Sequence, residues 1–142
     1  MKKILKNSLN FFRYWDWSLD WRDIANSSIW SADQGFGGDG DINGRVTIGE
    51  GRCLTDGPFK DLKPLYFNHT ETPHCLSRGF RDGENFGTIS GFNFRPEAVG
   101  LLLLQPNYEY FVGFMESSVH NIIHNSIGGD FMALTASNGK IK

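Results

Sequence analysis

The strongest periodic signal in the chain lies in its last third. Phe111, Met115, Val119, Ile122 and Ile123 recur at three- and four-residue intervals, the spacing that places side chains on one face of an α-helix. Gly128-Gly129 follows where such a helix would stop, so the pattern predicts a helix over about residues 108–127. A shorter helix is predicted upstream. Pro96 has the fixed φ that suits a first helical turn, and the apolar stretch that follows runs through Leu104 until Pro106 breaks it. Between Ser31 and Gly91 the texture changes. Most of the 17 Gly fall there, with Asn-Gly, Asp-Gly and Gly-Pro steps that divide the backbone into turns and short extended pieces. Long loops are therefore expected in the middle of the chain. Arg45-Val46-Thr47-Ile48 alternates like a short strand, but one such run without a clear partner makes no sheet by itself. There is no internal repeat and no low-complexity tract.

Size and charge narrow the picture. The 142 residues and 16.0 kDa suffice for one ordinary domain with a single apolar core. Fourteen basic against 16 acidic side chains, a net charge of -2, give no broad field for nucleic acid or an anionic membrane, so a small or neutral partner fits better. The aromatic content of 14%, with 12 Phe and 4 Trp, implies either a dense core or surfaces that something else covers. Trp15, Trp17 and Trp21 are spaced like packing anchors, and with Asp16 they are read as buttresses rather than substrate contacts. The basic start of the chain imitates a secretory signal, but Asn7, Ser8, Asn10 and Arg13 interrupt the apolar stretch a signal needs, so no signal peptide is assigned. Leu101 to Leu104 is the longest purely aliphatic run, far short of the roughly 20 apolar residues of a membrane span. Cys53 and Cys75 fit no zinc spacing and are either one disulfide or two inert thiols. Asn26-Ser27-Ser28 and Asn68-His69-Thr70 satisfy the N-glycosylation pattern and favour a secreted parent, although the compartment of this chain stays unassigned.

Two stretches have metal-binding character. His120 and His124 stand four apart on the predicted helix, so both imidazoles project from one face and can converge on one ion. Taken alone, such a pair is more often two ordinary helix histidines. Zinc-protease chemistry is excluded, because Asn121 stands where a general-base Glu would be required. The second stretch, residues 39–50, matches a twelve-position calcium loop, with Asp39, Asp41 and Asn43 early, Gly44 at the sixth place and Glu50 at the twelfth. An EF-hand needs a helix on each side, whereas Gly-rich segments flank this one. It is read as a Gly/Asp-rich surface loop, with a non-helical calcium loop as the alternative.

Context changes the weight of the histidine pair. Arg13-Tyr14-Trp15-Asp16-Trp17, Asp56-Gly57-Pro58-Phe59, Pro73-His74-Cys75-Leu76-Ser77-Arg78-Gly79-Phe80 and the run from Glu116 through His120 and His124 to Asp130 occur in that order. Together they resemble the fungal tyrosinases, over Asn7 to Asn138. The resemblance implies a type-3 dinuclear copper oxidoreductase, with two copper ions each held by three histidines, that oxidises phenols and catechols to quinones with O2. The fold it implies is mainly α with long irregular loops: a partial, incomplete four-helix copper bundle. Imidazole suits copper. Carried over, His120 and His124 match the first two ligands of the second copper, on the helix at about 108–127. Asn121 and Asn125, each following a ligand histidine, occupy positions that in the family are thought to influence monophenol deprotonation. Both also read as polar helix surface. His74 is a familial residue without a ligand role and is read as a hydrogen-bonded structural histidine; His69 is read as an ordinary loop residue, and Arg78 as a partner of Asp16 or Asp56.

The expected ligand set is incomplete. The third ligand of the second copper would follow a Ser-Asn-Asp-Pro stretch, but the chain diverges after Ser137-Asn138 into Gly139-Lys140-Ile141-Lys142. The region holding the first copper would precede Tyr14, where no histidine occurs. The expectation is thus a fragment of the copper domain with two of six ligands, binding at most one copper weakly and inactive alone. The divergent tail can be encoded by GGT AAG ATT AAA, which contains an intron-start string, so a gene model that runs into an intron is expected; transcript sequencing tests this. The alternative reading is a non-catalytic binding module, in which the 39–50 loop takes calcium or the apolar helix faces engage a partner chain.

Overall fold

The computed structural model describes residues 14–132. The stretches before Tyr14 and after Met132, with the N-terminal basic segment and the divergent tail, lie outside the described residues.

The chain starts with a single helical turn, α1 (Trp17–Asp20), capped by Asp16, whose carboxylate accepts from the Ser18 N–H. Two 3-10 turns, Ile24–Asn26 and Ser28–Trp30, follow. The middle forms three two-stranded antiparallel sheets from six short strands: β1 (Arg52–Cys53) with β4 (Ser77–Arg78), β2 (Tyr66–Phe67) with β3 (Thr70–Glu71), and β5 (Arg81–Asp82) with β6 (Asn85–Phe86). Helix α2 (Pro96–Leu103) begins on Pro96. Tyr108 to Ile127 is helical throughout: α3 (Tyr108–Met115), a π turn (Glu116–His120) and α4 (Asn121–Ile127). Asn107 caps the start by accepting from Tyr110 N–H, and Gly128, at φ 66, ends the helix with its N–H donating to the His124 carbonyl.

This corrects the expectation of a mainly α fold built on a partial four-helix bundle. Among the described residues α2, α3 and α4 exceed one turn, the last two joined end to end through the π turn, and no four-helix bundle forms; short hairpins and loops make up the rest. The reason lies in the middle of the chain, where positive-φ glycines and turn residues occur too often for any run to sustain a helical face. The 45–48 run makes only one ladder contact, Val46 opposite Arg52, before turning.

The core is correspondingly a meeting of loops and one helix end. Ile24, Trp30, Phe80, Ile89 and Phe94 from the loops pack with Val119, Ile123 and Ile127 from the helix. Trp15, Trp17 and Trp21 pack against this cluster, with Trp15 edge-on to Trp30 at 5.5 Å and Trp17 edge-on to Phe94 at 5.9 Å. Arg78 is buried as well. Its guanidinium donates to the carbonyls of Phe36, Gly37 and Gly38 and lies 5.2 Å from the centre of the Trp30 ring, so it pins the 36–38 loop instead of pairing with Asp16. Burial lowers its pKa, against the opposing pull of Asp56 and Asp39. Cys53 and Cys75 form a disulfide that joins β1 to the segment entering β4.

Candidate metal centre

The two helix imidazoles are close neighbours. The His120 and His124 ring centroids lie 4.6 Å apart with the planes tilted by 49°. His120 stands at the end of the π turn and His124 a helical turn later in α4. In the π turn each backbone acceptor meets its donor one residue later than in an α-helix, and two serines add hydrogen bonds to carbonyls one turn back. Ser117 Oγ donates to the Gly113 carbonyl at 2.9 Å, and Ser118 Oγ to the Phe114 carbonyl at 2.6 Å.

Each ring has its Nδ1 held by an oxygen. His120 Nδ1 is 2.9 Å from Glu116 Oε1, and His124 Nδ1 is 3.1 Å from the Phe131 carbonyl oxygen. A carbonyl oxygen can only accept, and so can an ionised carboxylate; both Nδ1 atoms therefore carry the proton in the neutral ring, and the lone pair falls on Nε2. Neither Nε2 has a partner among the described residues. A metal-binding histidine needs the same arrangement, in which an oxygen acceptor fixes the ring and its tautomer while the other nitrogen is left to donate electrons. The Phe131 ring also packs on His124 at 5.4 Å.

Phe131 reaches His124 because the chain doubles back after the helix. Gly128 and Gly129 both have positive φ, 66° and 56°. At Gly129 a Cβ would lie 2.1 Å from the Ser77 carbonyl oxygen, so only glycine lets the helix end lie backbone-to-backbone against β4. Asp130 then turns into the loop that carries His74. One carboxylate oxygen is 2.8 Å from His74 Nε2, and the other accepts the Ser77 N–H at 2.7 Å. His74 Nδ1 points at the Thr72 carbonyl. Both ring nitrogens thus face acceptors, which the imidazolium satisfies and the neutral ring does not. Burial of the side chain opposes the charge, but the hydrogen bonds to Asp130 and Thr72 and the Asp130 charge outweigh it, so the pKa of His74 is raised. Asp130 therefore ties the disulfide-braced loop to the strand of backbone that orients His124. Sequence reasoning marked His74 as hydrogen-bonded but missed Asp130 as its partner and Arg78 as a buried anchor; an acid directly after a Gly-Gly helix stop was the available signal for the first.

The other candidates fall elsewhere. Asn121 and Asn125 are exposed on the helix surface, and His69 is exposed at the turn between β2 and β3. Acids of the 39–50 loop are already engaged. Asp39 accepts from the N–H groups of Phe80 and Gly40, Asp41 accepts from Asn43 N–H, and Glu50 pairs with Arg81. Burial raises the Asp39 pKa, with those two N–H groups, Arg52 and Arg78 acting against it. This spread gives calcium no support. Among the described residues no three His, Cys, Asp or Glu side chains converge as a metal cluster, so the imidazole pair supplies two donors and no third. No helix among the described residues is long and apolar enough to cross a membrane.

Comparison with known proteins agrees with the motif order. The family profile described as the common central domain of tyrosinase matches residues 8–139. The tyrosinase-like protein phomQ2 of Diaporthe leptostromiformis is 52% identical over 128 residues, covering 90% of this chain and 33% of that protein. Tyrosinase ustQ of Aspergillus flavus is 50% identical over 125 residues, 88% of this chain and 35% of that protein. The chain thus spans about a third of the length of these curated relatives. No solved structure matches it significantly.

Proposed function

This chain belongs to the tyrosinase family, and from that premise we propose that it supplies part of one copper site of an oxidoreductase that converts phenols and catechols to quinones with O2. His120 and His124 are two of the copper ligands in this reading, each donating through Nε2. The observation that carries it is the pair of adjacent rings whose Nδ1 atoms are both committed to oxygen acceptors. The donor set fits copper in kind, since neutral imidazoles suit it, and falls short in number. When bound, copper would supply the redox chemistry toward O2 and the phenol. The chain's own residues do the positioning. Glu116 and the Phe131 carbonyl fix the ring orientations, and the Phe131 ring backs His124 on one side. In this reading Asn121 and Asn125, each one residue after a ligand and exposed, would offer polar groups to a phenolic hydroxyl. The described residues by themselves offer two donors where a coupled pair of metals needs more, so the segment alone is proposed to be inactive.

Copper titration and catechol oxidation, run side by side on this segment and on the full-length protein, test both halves. The expected result is at most one weakly held copper and no oxygen uptake for the segment, with copper binding lost in the His120→Ala, His124→Ala double variant, and turnover in the full-length protein. Two tightly bound coppers with turnover in the segment would overturn its inactivity. Copper binding that survives the double substitution would overturn the ligand assignment, and a copper-loaded full-length protein inert to catechols would overturn the reaction.

A further inference from the structure

We propose that Asn68 is an N-glycosylation site, modified in the secretory pathway, and that Asn26, in the chain's other acceptor triplet described above, is not. Asn68 and His69 are the two central residues of the turn joining β2 to β3, with Phe67 opposite Thr70 across the ladder. Both have positive φ, 47° and 65°, as a tight two-residue hairpin turn requires. Asn68, His69 and Thr70 are all exposed. The hairpin is longer than its paired strands: Thr72 N–H donates to the Leu65 carbonyl, His74 N–H to Pro64 and Leu76 N–H to Leu62. It is therefore an arm whose base is held by the Cys53–Cys75 disulfide and the His74–Asp130 pair, and whose tip is the acceptor triplet.

The triplet at Asn26 also exposes its Asn and its Ser28, but it lies in a different backbone setting, with no hairpin tip. Its middle residue, Ser27, is 6% exposed and donates its hydroxyl to Asp20. It sits in two successive 3-10 turns between the core residues Ile24 and Trp30.

The disulfide is an independent pointer to the compartment. Both cysteines of the chain are bonded to each other, and such bonds form and persist where the environment is oxidising, which is also where N-glycosylation takes place. In the transfer, the oligosaccharide comes from a polyisoprenyl-pyrophosphate donor. A bond forms between the anomeric carbon and Asn68 Nδ2, the bond from that carbon to the phosphate oxygen breaks, Nδ2 gives up a proton, and the lipid pyrophosphate leaves. The glycan has a surface to protect, because Leu62, Leu65 and Tyr66 lie exposed along the same arm.

Full-length protein from its producing organism, released with a peptide amidase in 18O water and mapped by mass spectrometry, provides the test. The expected outcome is 18O-labelled Asp at position 68 and unlabelled Asn at position 26. In the same host, Thr70→Ala should abolish the glycosidase-sensitive gel shift and Thr70→Ser should keep it, since both leave the exposed turn intact. Unmodified Asn68 in the mature protein, a shift that persists in Thr70→Ala, or labelling at position 26 would overturn the proposal.

Discussion

The first half of the Tyr108–Ile127 helix is the richer in apolar residues, yet the second half is the one that is buried. In α3 no residue is buried, and Tyr108, Tyr110 and Phe114 are 80%, 62% and 39% exposed. Past the π turn's first residues, Val119, Ile123 and Ile127 are 2%, 8% and 5% exposed and complete the core. The difference is in what the fold brings to each half. Loops carrying Ile24, Phe80 and Phe94 close on the second half, while among the described residues nothing equivalent closes on the first. An apolar stripe identifies the side of a helix that gains from burial; whether it is buried depends on a partner of adequate shape. Both imidazoles sit in the second half or at its border, where the ring positions are set by anchored backbone.

The comparison can be broken most directly in the core. Ile123→Ala and Ile127→Ala should each cost about 3–4 kcal/mol in urea unfolding followed by tryptophan fluorescence, because each leaves a cavity where loops and helix meet. Replacing both Cys53 and Cys75 by Ser should cost about 3 kcal/mol, chiefly by freeing the unfolded chain, and reduction of the wild type should reproduce that loss. His74→Ala should cost about 2–3 kcal/mol, since it strands the Asp130 carboxylate against the helix end. This term depends on pH. His74 has a raised pKa, so its stabilisation is complete below the ordinary histidine value of 6.5 and is lost as pH rises through the raised value. The wild-type unfolding midpoint should therefore drop between mildly acidic and mildly alkaline buffer by more than that of His74→Ala; equal drops would remove the imidazolium from the account. The smallest effect belongs to the open half, where Tyr110→Ser and Phe114→Ser should stay within about 0.5 kcal/mol of wild type in the same assay. A loss there comparable to Ile123→Ala would show that α3 is covered after all.

The sequence by itself determined where the long helix runs, because an apolar repeat at three and four residues and a Gly-Gly stop are local signals that need no partner. It also put His120 and His124 on one helical face and carried the family in four ordered motifs. It did not determine the fold class. The expected bundle gives way to hairpins and loops around a small core, since pairings such as Arg52 with Arg78 depend on contacts distant in sequence. Only the tertiary structure decided that Cys53 and Cys75 bond, that Arg78 is buried against Trp30, and that Asp130 links His74 to the segment orienting His124. Periodicity reports a residue's own backbone, whereas a hydrogen bond or a buried face is a property of two segments, and the second becomes known only when the chain has closed on itself.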